Sequence, residues 1–155
     1  MAVRHQLIER SPRQVWSVLA DPARYNDWVV GVAGSEPGRG QWPEVGSDLV
    51  YRVVLGPWES GGRTIVRRVE APSILELEAD SGPLGTARIA VEVRPWGGRD
   101  SIVTIDEHPL RGPAGSLHNA ALDVFLQVRH RSMLSRLAEV VERSDPPEAS
   151  AAPAF

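Results

Sequence analysis

The chain has 155 residues, 42% of them hydrophobic and 24% charged, with a net charge of −3 and no cysteine. That length suits one domain with a sizeable core, the missing thiol excludes disulfides and cysteine chemistry, and four scattered histidines lack zinc-ligand spacing. All 17 cationic side chains are arginine, with no basic run to form a nucleic-acid footprint, and no apolar stretch approaches the roughly 20 residues of a membrane span.

The N-terminal segment Met1-Ala2-Val3-Arg4-His5-Gln6-Leu7 lacks the charged-then-apolar layout of a signal peptide, so a cytoplasmic location is expected. Residues 3–9 read as a strand. Ser11 can cap a helix over residues 12–20, Pro12 fits its first position, and Pro22 re-aims the chain into a short second helix over residues 23–28. Strands are then expected at residues 29–35, 48–55, 63–70, 74–79, 87–94 and 101–108, separated by Gly- and Pro-rich turn signals. Connections this short cannot be crossovers, so successive strands are antiparallel neighbours in a meander. Regular pleating puts Leu49, Tyr51, Val53 and Leu55 on one face and sends Arg67 and Arg68 to opposite faces.

The last element is the longest. Residues 113–142 read as one helix with Leu122, Leu126, Met133, Leu137 and Val140 as its apolar stripe, which needs a sheet to cover. Residues 144–155, rich in Pro, Ala and Ser, are expected to form a disordered tail.

The sequence Ser11-Pro12-Arg13-Gln14-Val15-Trp16-Ser17-Val18-Leu19-Ala20-Asp21-Pro22, the later Trp28, the run of strands and the long helix together resemble the START-like, or Bet v 1-like, superfamily. The similarity, strongest to the bacterial polyketide cyclase/dehydrase-like branch, covers roughly residues 2–143. It implies an α+β helix-grip fold: a seven-stranded curved antiparallel sheet wrapped around a long C-terminal helix, with two short helices between strands one and two, all within a single domain over residues 1–143. It also implies a cavity between the concave sheet face and that helix, receiving a hydrophobic or aromatic, polyketide-like or lipid-like small molecule. Two functions fit: a cofactor-independent cyclase or dehydratase performing aldol-type ring closure, and a non-catalytic carrier of a hydrophobic metabolite. No cofactor is expected, because the glycines sit in hairpins rather than in a strand-to-helix phosphate turn. No metal, nucleic acid or membrane insertion is expected either, and homodimerisation through a helix or sheet edge stays open.

Strand parity nominates the site. In a meander, the loops after the third, fifth and seventh strands, residues 56–62, 80–85 and 109–115, share one end and would rim an entrance, with Trp58 and Leu84 at the tips. Leu49, Val53, Leu77, Ile89, Val91, Val103 and Ile105 would line the sheet side, and Leu122 and Leu126 the helix side. Polar groups among them are the candidates for chemistry. Tyr51 sits mid-strand on the inward face, and Glu107 shares parity with Val103 and Ile105, although a bulge would turn His108 inward instead. Asn119 and His130 fall on the helix stripe, and His118 flanks it. Tyr51, His118 and His130 are the candidate acid/base groups; the commoner role of a tyrosine so placed is a satisfied core residue, and of a histidine like His130 a helix-surface one.

Overall fold

Alternation of apolar and polar residues decides the faces of the sheet. In a computed structural model that describes residues 2–29, 32–55, 57–80, 86–111 and 120–144, the strands are β1 (Ala2–Ile8), β2 (Val32–Pro37), β3 (Asp48–Leu55), β4 (Trp58–Glu70), β5 (Ile74–Asp80), β6 (Thr86–Trp96) and β7 (Asp100–Arg111). They form one antiparallel sheet in the order β1-β7-β6-β5-β4-β3-β2. Helices α1 (Pro12–Leu19) and α2 (Tyr25–Trp28), joined through a 3-10 turn at Pro22–Arg24, precede β2, and α3 (Ala120–Ser144) closes the described chain. This is the seven-stranded helix-grip arrangement that the family resemblance implies, but the meander runs only from β2 to β7: β1 and β2 are not neighbours, because the two helices between them carry the chain across to the far edge and β1 pairs with β7. The connections after β3, β5 and β7 leave the same end of the sheet, as parity requires.

Several boundaries differ from the sequence reading. Strand β4 begins at Trp58, paired with Leu55, so the expected loop over residues 56–62 contracts to a tight turn and Trp58 belongs to a strand. Gly61 and Gly62 look like turn residues, yet they continue the ladder, and Gly62 lies directly opposite Tyr51, where a missing side chain leaves room for a ring. Strand β7 likewise runs through Pro109 to Arg111, and β2 starts at Val32. A bulge in β4 between Val66 and Arg68 breaks the alternation, so Arg67 and Arg68 are both exposed and pair with Glu78 and Glu70. Ser144 closes α3 rather than opening a tail, and residues 145–155 lie outside the described chain.

Register assembles the inward face into rows. Leu49 faces Thr64, Thr64 faces Ala79 and Ala79 faces Ala87. The next row is Val66, Leu77, Ile89 and Glu107, followed by Val69, Leu75, Val91 and Ile105, then Val93 and Val103. Nearly all are buried, and with Ile8, Val15, Val18, Leu19 and Trp28 they make one core.

Helix α3 supplies the other side. His130, Met133, Leu134, Leu137, Ala138 and Val141 recur at three- and four-residue steps and are all buried, a continuous stripe of helical period. Val140, assigned to the stripe from sequence, is only partly buried, because the stripe drifts to Val141. The helix packs chiefly on β1, and also on α1, α2 and β7. Its end is anchored: the Glu9 amide donates to Glu142 Oε2 at 3.0 Å, Arg10 Nη2 to the Glu142 carbonyl at 2.7 Å, and Arg24 Nη2 to Ser144 Oγ at 2.8 Å.

Helix α1 forms as its sequence dictates. Ser11 accepts from the Gln14 amide while Gln14 Oε1 accepts from the Ser11 amide, a reciprocal capping box, and Pro12 occupies a position needing no amide hydrogen. Val15, Val18 and Leu19 then face the core, and Asp21 caps the turn that redirects the chain into α2.

Candidate functional site

Two sets of polar side chains enter the inward face, and both are buried. The first joins β7 to α3. Glu107 keeps the parity of Val103 and Ile105 and is 5% exposed, and His130 heads the described part of the α3 stripe at 0%. His130 Nε2 and Glu107 Oε2 form a hydrogen bond between them. An ionised carboxylate can only accept, so Nε2 carries the shared hydrogen and a neutral ring presents Nδ1 as an acceptor. Among the described residues, His130 Nδ1 has no hydrogen-bond partner although it is shielded from water.

Burial explains why the two meet. Each group loses hydration on entering an apolar row, and the hydrogen bond between them offsets part of that cost. The bulge at the end of β7 falls beyond His108, where Ala87 faces Pro109 and Thr86 faces Arg111, so His108 keeps the outer face, half exposed, with Nε2 3.2 Å from Asp106 Oδ2. His5 is also on the outer face, 3.0 Å from Thr104 Oγ1. Of the histidines described, His130 is the one turned inward.

The second set joins α2 to β3 and β4. Tyr51 Oη lies 2.7 Å from Thr64 Oγ1 and Tyr25 Oη 2.9 Å from the same oxygen, so one threonine hydroxyl links two phenols. The Tyr25 and Tyr51 rings stack with centroids 5.6 Å apart, and Trp28 and Trp42 meet Tyr25 edge-on at 5.8 and 5.9 Å. Trp42 Nε1 donates to the Leu19 carbonyl, tying the β2–β3 loop to α1. Tyr25 and Thr64 were not singled out from the sequence. Thr64 shares the inward parity of Val66's neighbours across the sheet, which is the signal that could have found it, whereas Tyr25 becomes inward only through the turn at Pro22.

The remaining expected lining residues distribute plainly. Leu49, Leu77, Ile89, Val91, Val103 and Ile105 are all buried on the inward face. Val53 and Trp58 lie on β3 and β4, and Leu122 and Leu126 on α3, but their side chains fall outside the described set. Leu84, His118 and Asn119 lie outside the described residues altogether. An open groove of about 590 Å³ runs between α2 and the end of α3, lined by Arg24, Asp27, Arg136, Glu139, Val140, Arg143 and Ser144. Its charged lining does not suit an apolar ligand. Among the described residues, no group of three His, Asp or Glu side chains is placed to hold a metal, and no helix is long and apolar enough to cross a membrane.

A curved antiparallel sheet gripping one long helix, with isolated polar groups inside an apolar face, defines the helix-grip class. The chain belongs to the family described as polyketide cyclase/dehydrase and lipid transport, whose model matches residues 2–142. Solved structures share the fold. Ara h 8.0201 is similar with a TM-score of 0.69 and 8% identity over 92% of this chain and 97% of that one. CalU16 from Micromonospora echinospora gives a TM-score of 0.62 and 17% identity, covering 90% of this chain and 74% of that one. DynU16, described as a putative protein in the dynemicin biosynthetic locus, gives 0.66 and 16%, with 94% of this chain matching 48% of that longer one. No curated protein matches.

Proposed function

We propose that this protein binds a hydrophobic or aromatic small molecule between the concave sheet face and α3. The observation that carries the reading is the Glu107–His130 pair, a hydrogen-bonded acid and base buried where Glu107 continues the row of Val66, Leu77 and Ile89. A chain needing only a core gains more from leucine at both positions than from two desolvated polar groups. The family description and the locus of DynU16 support a ligand of polyketide or lipid character.

The test is titration with an apolar environment-sensitive dye. Saturable one-to-one binding is expected, weakened about ten-fold by Ile89→Trp or Leu77→Trp, since a bulky ring on the central row displaces ligand volume. Circular dichroism of both variants establishes that the fold survives. Unchanged affinity in both folded variants would place the ligand elsewhere.

A second reading, ring closure with loss of water, is favoured by one feature: an imidazole oriented by a carboxylate is the arrangement of a general base. On that reading His130→Phe or Tyr51→Phe slows product formation by about 100-fold or more while ligand affinity changes little. A carrier shows losses of affinity only.

A further inference from the structure

We infer that the Glu107–His130 pair selects ligands bearing an acidic O–H, a phenol or enol, which is donated to His130 Nδ1. This rests on the binding reading above and adds the chemical class that the site distinguishes.

The steps follow from hydrogen-bond inventory. Glu107 comes from a strand, held in register between Ala2 of β1 and Ile89 of β6, so its carboxylate is fixed by the sheet and accepts from Nε2. A neutral imidazole has one donor and one acceptor, and with the donor committed to Glu107 the remaining nitrogen can only accept. That nitrogen is buried with no partner among the described residues. An unsatisfied buried acceptor carries a standing penalty, which a ligand donor removes and a ligand ether oxygen does not. The surrounding row of Val66, Leu77 and Ile89 provides no competing donor from its side chains. The donor has to belong to an otherwise apolar molecule. Water-soluble polyols would lose too much hydration on entering these rows, whereas a phenol on an aromatic frame loses little.

Glu107 is here a positioning residue. It acts through His130 by fixing which nitrogen carries hydrogen. Replacing it with glutamine retains shape but allows the side-chain amide to donate to Nε2. The ring hydrogen then moves to Nδ1 and the acceptor becomes a donor.

The experiment compares β-naphthol with its methyl ether, two probes of nearly the same shape that differ in one donor. Wild-type protein is expected to bind the naphthol about ten-fold more tightly than the ether, the scale of satisfying one buried acceptor. In His130→Phe the ratio should collapse towards unity because the acceptor is gone, and in Glu107→Gln because the ether oxygen can accept from Nδ1 as well as the naphthol oxygen can. Ring-nitrogen NMR of His130 supplies the readout that a merely structural role would not move: the hydrogen on Nε2 in wild type, on Nδ1 in Glu107→Gln. Equal wild-type affinities for the two probes would overturn the inference and leave the binding reading standing, and that comparison needs no variant to fold. Failure of both probes and of the apolar dye to bind would remove the binding reading itself.

Discussion

The two ends of the concave face are equally buried and differently built. Beneath α1 and the second half of α3, the contacts are Ile8, Val15, Leu75, Val91, Val93, Val103, Leu137 and Val141, and the buried polar side chains there, Gln14 and Ser101, bond to backbone, Gln14 Oε1 accepting from the Ser11 amide and Ser101 Oγ donating to the Arg10 carbonyl. Towards the start of the described helix and the end of β3, the same water-shielded space admits Glu107, His130, Tyr51, Thr64 and Tyr25. Burial alone therefore does not separate what holds this molecule together from what it uses. The separation lies in chemistry. The first region gains from every methylene it hides, and the second keeps groups that must find partners to be tolerated at all.

Truncation in the apolar region gives the largest expected effect. Leu137→Ala should lower unfolding free energy by about 2 to 5 kcal/mol, measured by denaturant titration, because it leaves a cavity at the centre of the α3 stripe. Ligand affinity of the folded fraction should hardly change. A large loss of affinity with little loss of stability would invert the comparison between the ends.

The paired region behaves differently. Glu107→Leu should cost about 2 kcal/mol by stranding His130 Nε2, and adding His130→Leu should recover most of that loss, since two apolar groups replace two polar ones. If the double variant is instead as unstable as the sum of the single changes, the pair is there for packing. That result would erase the distinction drawn here.

The hydroxyl set gives a smaller effect with its own internal control. Thr64→Val removes a hydroxyl bonded to both Tyr25 and Tyr51 at nearly constant volume and should cost about 2 kcal/mol, against about 1 kcal/mol for Tyr51→Phe, which removes the Tyr51–Thr64 bond and keeps that of Tyr25. Thermal unfolding ranks the two. The smallest effect is on the convex face, where the exposed Arg52–Glu59 pair at 2.7 Å should contribute less than about 0.5 kcal/mol by double-mutant cycle.

How much of this was legible beforehand follows the same division. Periodicity and short connections indicate the meander from β2 to β7, the capped first helix and the inward parity of Leu77, Ile89, Val103 and Ile105, because these are local properties, whereas the pairing of β1 with β7 is a long-range one. Parity also placed Glu107 opposite His108 in orientation, though only coordinates exclude the bulge that would have exchanged them. The bulge at Arg67 carries no marker in composition, and it turns both arginines outward. Gly61 and Gly62 misled for a related reason: glycine reads as a breaker unless the residue facing it is known, and Tyr51 across the ladder is long-range information. The meeting of Glu107 with His130 joins residues far apart in the chain, so helix spacing could nominate the histidine without naming its partner. Thr64 was hidden by being a common strand residue.

The most direct test of ligand placement is methyl-resolved NMR during titration with β-naphthol's methyl ether, which reports binding without needing the donor. Methyl signals of Leu77, Ile89 and Ile105 on the concave face are expected to shift together and saturate at one equivalent, while those of the exposed Leu7, Val45 and Val50 stay in place. Shifts confined to Leu7, Val45 and Val50, with the concave-face methyls unmoved, would show that the ligand sits on the outer surface and would contradict a binding site between the sheet and α3.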